Sequence, residues 1–316
     1  MKDICSKYKL KWGAFVFFSS INNDVVIGKP TSLSLYRKDC TELALSSGFQ
    51  YANIAVESQR HSNIFVANPL NQILSIKCAP YSSRVIKHAA GEFIEAFLSI
   101  DEDYAVFVSA TRNVLLLDIK SCEEVATFSF TAAFGNYTTI KFIREILPVR
   151  GYEFAVWMIG SSKPAIITLD LLNNSYIDSK NPALMIMHKD KYISSVKYIP
   201  EFDCYILLFD EVDYVHVKMI VLENEVFSFN TSYEVWSQLK VFHRKAHEAY
   251  ICLTLETIVL FDFITFQIRK IYRCPHCDLR VVAYDKKADE LTIIHAFEPS
   301  VIITIDDFCN FSGFDA

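Results

Sequence analysis

Residues 113–124 read NVLLLDIKSCEE, an apolar run closed by Asp118 and followed by a short polar stretch that leads into EVATFSF (124–130). Alone this is a hairpin. Repeated at a steady interval it is one unit of a larger architecture, and a period of about 40 residues outweighs any local propensity. The run does recur: LLLD ending at Asp118 returns as ITLD at Asp170, VLFD at Asp262 and ITID at Asp306, spaced 52, 92 and 44 residues apart. The middle interval holds two units, which places a degenerate copy within YVHVKMIV (214–221), with Met219 at the aspartate position. Steps of about 41 residues toward the N-terminus reach Lys77 in QILSIKC and then Arg37 in TSLSLYRKD, making seven registers.

Each register has companions. A second apolar run starts 12 to 16 residues ahead of each aspartate: YAVFVSA (104–110), FAVWMIG (154–160), YICLTLE (250–256) and LTIIHAF (291–297). The degenerate units keep it as IFVANP (64–69) and CYILLFD (204–210). After the aspartate come EVATFSF, SYIDSK and QIRKIYR, and ahead of the paired runs lie YTTIKFI (137–143), ISSVKYI (193–199), VWSQLKVF (235–242) and LRVVAYD (279–285). The segment HAAGEFIEAFLSI (88–100) has a helical spacing of Phe93, Ile94 and Phe97, yet it occupies the first-strand position and is assigned as a strand. Four short strands per unit, seven times over, predict an all-β chain built as a seven-bladed β-propeller of four-stranded antiparallel blades. With only eight glycines, the turns must lean on Asn, Asp, Ser and Lys.

The pattern resembles the WD40-repeat propellers. The residues that carry the resemblance are the dipeptides Leu117-Asp118, Leu169-Asp170, Phe261-Asp262 and Ile305-Asp306, which take the place of the family's Trp-Asp pair. It extends over nearly the whole chain, although no Trp-Asp or Gly-His dipeptide occurs. One propeller domain spanning 1–316 is expected. A carboxylate at this position can accept amide hydrogen bonds from the following turn, so Asp118, Asp170, Asp262 and Asp306 are read as structural repeat aspartates. Only ten residues follow Asp306, whereas CSKYKLKW (5–12) is a spare strand-like piece ahead of AFVFFSS (14–20); it is expected to close the last blade, the alternative being an edge completed by a partner's strand.

Composition narrows the function. With 52% hydrophobic and 14% aromatic residues the chain has ample core material, and a net charge of −6 lacks the basic field of a phosphate binder. Nucleic acid is therefore an unfavoured partner. No apolar run reaches the roughly 18 residues of a membrane span. Nine scattered cysteines fit reduced thiols in an intracellular compartment, cytoplasm or nucleus.

The motifs that could carry chemistry fall short of their requirements. CPHC (274–277) copies a redox tetrapeptide, but a low-pKa thiolate needs a helix N-terminus and the following DLRVVAYD alternates like a strand. Zinc would need two further ligands, and no second C-x-x-C exists. HRKAHE (243–248), DEVD (210–213) and DED (101–103) read as charged turns between strands. Nucleophile elbows, phosphate loops and His-Glu-x-x-His pairs are missing. The expectation is a non-enzymatic protein-protein interaction scaffold, a subunit of a larger complex, with no catalytic, cofactor-binding or metal-binding residues, that docks proteins or peptides on its faces. The alternative is a propeller that binds RNA or a small ligand at its central face by aromatic stacking.

Overall fold

A computed structural model describes residues 15–304, apart from 20, 23, 38–40, 47, 88–91, 111–112, 136, 147–150, 159–163, 180–192, 211–213, 222–223, 233–239, 245–246, 254–256, 274–280, 286–289 and 296–300. The described residues form seven antiparallel sheets in chain order, with strands adjacent in sequence adjacent in space. The first holds β1 (Phe15–Phe18), β2 (Val25–Lys29), β3 (Ser32–Tyr36) and β4 (Glu42–Ser46). The second holds β5 (Ile54–Ser58), β6 (Asn63–Ala67), β7 (Gln72–Cys78) and β8 (Tyr81–Lys87). The third holds β9 (Phe93–Leu98), β10 (Tyr104–Ser109), β11 (Asn113–Asp118) and β12 (Glu124–Ser129), and a short helix α1 (Phe130–Phe134) follows it. The ambiguous segment is thus a strand, since β9 pairs along β10.

The fourth sheet comprises β13 (Tyr137–Ile146), β14 (Gly151–Met158), β15 (Pro164–Asp170) and β16 (Ser175–Asp178). The fifth comprises β17 (Ile193–Ile199), β18 (Cys204–Asp210), β19 (Tyr214–Val221) and β20 (Asn224–Ser232). In the sixth are β21 (Lys240–His243), β22 (Glu248–Cys252), β23 (Thr257–Asp262) and β24 (Gln267–Arg273). The seventh has three strands among the described residues, β25 (Val281–Asp285), β26 (Glu290–His295) and β27 (Val301–Thr304). Contacts divide the chain into two compact units, 1–135 with 170–175 and 296–302, and 136–169 with 176–295 and 303–316.

Why the middle strands read as unbroken apolar runs follows from their packing, because both faces of the second and fifth sheets are covered. In β6, Ile64 and Val66 join a core with Val26, Leu33 and Leu35 of the first sheet, while Phe65 and Ala67 join Phe93, Phe107 and Leu115 of the third. The same division occurs in β18, where Tyr205, Leu207 and Phe209 pack with Ala155 and Trp157 of the fourth sheet. Its Cys204, Ile206 and Leu208 pack with Ile251, Val259 and Phe261 of the sixth. Side chains alternate across a strand, so a strand buried on both faces must be apolar at every position. Each large side chain so buried contributes about 1.5–3 kcal/mol, and the second and fifth sheets depend on their neighbours for that burial. Cys78, Cys122, Cys204 and Cys252 are buried free thiols within these cores, and burial pushes the Cys78 thiol up to about 12, with Asp24 and Glu57 adding to it.

Few glycines leave a mark on the turns. Among the described residues Ser62, Asn71, Asn174 and Asp203 take positive φ, as the composition predicts, but so do Tyr51, Glu102, Cys122 and Phe266.

Candidate interaction surface

Two ends of the sheets differ in chemistry. At one lie the turns between first and second strands and between third and fourth strands, and the repeat aspartates sit here. Asp118 ends β11 and accepts from Ser121 N–H at 2.7 Å. Asp170 ends β15 and accepts from Asn173 N–H at 3.0 Å and from the Asn173 side-chain amide at 2.7 Å. Asp262, buried at the end of β23, accepts from the N–H groups of Ile264 (2.9 Å) and Thr265 (3.1 Å), and its second oxygen takes the Arg269 guanidinium. These bonds set the proton affinities. The Ser121 N–H lowers the Asp118 carboxyl, and the Asn173 side chain, then its N–H, lowers that of Asp170. Burial raises Asp262, but Arg269 and the two turn amides outweigh it and hold the carboxyl far below the usual carboxylate range. Asp306 lies outside the described residues.

The register explains which units lack the aspartate. Lys77 pairs with Asn63 as Asp118 pairs with Tyr104 and Asp262 with Glu248, so Lys77 holds the equivalent place. Its following turn is two residues, Cys78 pairing with Tyr81. In the fifth sheet the equivalent is Val221, not Met219: the ladder irregularity that precedes Asp118 and Asp262 by one residue falls between Met219 and Ile220 here. Met219 is instead a core residue, and Val221 pairs with Asn224 across another two-residue link. Links of four or five residues follow Asp118, Asp170 and Asp262. A two-residue hairpin closes by backbone geometry alone, whereas a longer turn leaves amides for a carboxylate to satisfy.

Turns at this end also join neighbouring sheets, each with different chemistry. From the first sheet, Asp24 accepts from the Tyr81 hydroxyl of the second, and Arg37 lies 4.5 Å over the Tyr81 ring. The DED turn is no free acidic loop. Glu102, at φ 55°, turns its carboxylate back to accept from Ser58 Oγ (2.7 Å) and Arg60 N–H (2.9 Å), and Arg60 Nη1 donates to Asp103 at 2.8 Å. Ser75, Asn63 and Cys122 make a buried polar contact between the second and third sheets. In the second unit Phe202 stacks on Phe263 at 4.4 Å. His243 and Arg244 of HRKAHE meet carboxylates, Glu201 at 3.8 Å and Glu248 at 3.5 Å. CPHC lies outside the described residues, as do 211–213 of DEVD.

The opposite end of the first unit carries an exposed apolar group, with Lys29 and Glu92 as exposed charges on the same end. Asn53 ties it together: its N–H donates to Ala67 O at 3.1 Å and its side-chain amide to Phe93 O at 2.8 Å. These bonds draw together the entry to β5, the β6–β7 turn and the start of β9. The turn is preformed, since Asn68 Oδ1 accepts from the N–H groups of Leu70 and Gln72, both at 3.0 Å. It projects Leu70 into solvent. Tyr51, at φ 54° two residues ahead of Asn53, and Ile94, next to the Phe93 that Asn53 binds, are exposed as well, at 57% and 50% against 52% for Leu70. Their neighbours Asn53, Pro69 and Asn71 are uncharged. Sequence patterning missed this group because an aromatic in a loop and an isoleucine on a strand look the same whether covered or not. Among the described residues no cluster of His, Cys, Asp or Glu could hold a metal, and no helix is long and apolar enough to cross a membrane.

Comparison with solved structures places the fold. The chain is similar to the WD40 β-propeller domain of Doa1, with a TM-score of 0.60 and 10% identity over 89% of this chain and 88% of that one. The fold is that of a seven-bladed WD40-type β-propeller, each sheet a blade. No protein-family model matches the chain, and no curated protein matches it.

Proposed function

We propose that this chain is a non-enzymatic intracellular scaffold that docks a protein partner on the end of its first three blades that carries the β6–β7 turn. WD40-type propellers commonly serve protein interaction, and that analogy supplies the class. The observation that carries the reading is the exposed group Tyr51, Leu70 and Ile94, held by Asn53 and Asn68. Apolar and aromatic anchors on a fixed backbone suit a protein interface, in which a few such residues supply most of the affinity. At the other end Asp24, Arg60, Glu102, Asp103 and the repeat aspartates are engaged within the molecule. Quantitative affinity purification of the tagged chain, beside a Tyr51→Ala, Leu70→Ser, Ile94→Ser variant, tests it. Copurifying proteins should fall about tenfold with the variant, the loss expected when hot-spot anchors are removed. Recovery of the same proteins with the variant, or of RNA in their place, would overturn the reading.

The repeat aspartates serve the blades in this proposal. Asp262 has the most partners, so Asp262→Asn should lower the melting temperature at pH 7 more than Asp118→Asn or Asp170→Asn. The folded carboxyl binds a proton less readily than the unfolded one. Its stabilisation is therefore complete above the unfolded pKa of about 4 and is lost as pH falls toward the folded value. The gap between wild type and Asp262→Asn should narrow as the pH drops below that point; a gap constant with pH would contradict the role.

A further inference from the structure

We propose that the second blade binds an acidic segment of a protein at a basic site on its two outer strands, formed by Lys77 of β7 with Ser82 and Arg84 of β8. This surface is separate from the docking end of Tyr51, Leu70 and Ile94. Charge is unevenly spread along the chain. Residues 54–87 hold Arg60, Lys77, Arg84 and Lys87 against one acid, Glu57, although the whole chain has a net charge of −6.

Alternation along the strands puts the site on one face. Ile73 and Ile86 stand opposite each other and pack in the core shared with the third sheet, so Ser75, Lys77, Ser82 and Arg84 take that same face. Ser75 lies opposite Arg84 and Lys77 opposite Ser82. Lys77 and Arg84 are therefore diagonal neighbours, a separation that long side chains bridge. The face changes from apolar to polar to charged along β7: Ser75 is buried, donates to Asn63 Oδ1 at 3.1 Å and meets Cys122 Sγ at 3.2 Å, whereas Lys77, Ser82 and Arg84 are exposed. Glu57 does not neutralise them. It follows Ala55 on the other face, toward the first sheet, and acts on Cys78 there.

Lys77 is available to a ligand because its blade makes no use of its side chain. It holds the register place of the repeat aspartates, but the two-residue link after it closes by backbone geometry alone. Among the described residues neither Lys77 nor Arg84 has an ion pair. Acids of the third sheet have other donors: Asp103 and Glu102 take Arg60, Asp101 takes Ser99, Asp118 takes Ser121 and Glu124 takes Thr127. Of the other outer strands described, β4, β12, β16 and β20 carry no cation. In β24 Arg269 is taken by Asp262, and Lys270 lies 4.5 Å over the Tyr272 ring. Two unmatched cations beside a free hydroxyl suit the carboxylates of a short acidic stretch, while the net negative charge of the chain disfavours a long polyanion such as nucleic acid.

Fluorescence anisotropy of the full chain with a labelled ten-residue Glu-Ser repeat peptide tests this. Binding should weaken as salt is raised, and a Gln-Ser peptide of the same length should not bind. Lys77→Glu combined with Arg84→Glu should lower the affinity at least about tenfold at an unchanged melting temperature, whereas Lys270→Glu should leave it unaltered. A carbodiimide, which condenses an amine with a carboxylate in contact with it, should couple the acidic peptide to Lys77 of the wild type, a readout that no variant's folding affects. Equal binding of the two peptides, full affinity in the double variant, an equal loss in Lys270→Glu or coupling that spares Lys77 would overturn the proposal. So would a ten-nucleotide RNA that binds more tightly than the acidic peptide.

Discussion

Replacing Arg144 with leucine is expected to lower the unfolding free energy by about 3–5 kcal/mol, the usual result of stranding a buried charge. The Glu153 side chain is fully buried, and its Oε2 accepts from Arg144 Nε at 2.9 Å while its other oxygen takes the Ser179 hydroxyl. Without Arg144 that buried carboxylate loses the guanidinium that faces it. Arg144 also lies over the rings of Tyr198 and Tyr205 of the fifth sheet, at 5.1 and 5.6 Å, so the loss falls on the packing of two sheets. The double variant Arg144→Leu, Glu153→Leu should recover most of the stability, because an apolar pair removes the orphaned charge along with its partner. Urea unfolding of the two single variants and the double variant measures this. A single Arg144→Leu variant as stable as wild type would show that the pair contributes nothing to this junction.

Deleting residues 1–12 is expected to have the second large effect, loss of cooperative unfolding together with aggregation. The seventh sheet has three strands among the described residues, with β27 at its edge, while every other sheet has four. We propose that residues near 5–12, which lie outside the described residues, add a fourth strand to the seventh sheet and that residues 1–316 form one closed propeller. Closure removes the exposed edge that otherwise recruits foreign strands. A soluble truncated protein with unchanged melting would exclude the clasp and leave β27 as an open edge.

Much of the fold was legible because strands buried at every position write themselves as unbroken apolar runs, as in AVFVS (105–109) and VLLL (114–117). The aspartates were visible for a related reason: a longer turn needs an acceptor, and Asp118, Asp170 and Asp262 provide it. Counting from a mean period placed Met219 two residues from the register position, because the fifth unit has shed both the aspartate and the long turn. Glu102 was hidden for a different reason. Nothing local predicts that a glutamate takes φ 55° and turns its carboxylate back to the preceding sheet. The exposed trio was illegible on the same grounds, since the bond of Asn53 to Phe93 reaches across sheets.

Hydrogen exchange of the chain alone and in complex with the protein it copurifies tests the docking face most directly. Binding should slow exchange at 50–53, 68–72 and 92–95, around Tyr51, Leu70 and Ile94, and leave the Arg60–Glu102 and Asp262–Arg269 turns unchanged. Protection confined to those charged turns or to the outer strands, with the apolar end exchanging as before, would contradict the account.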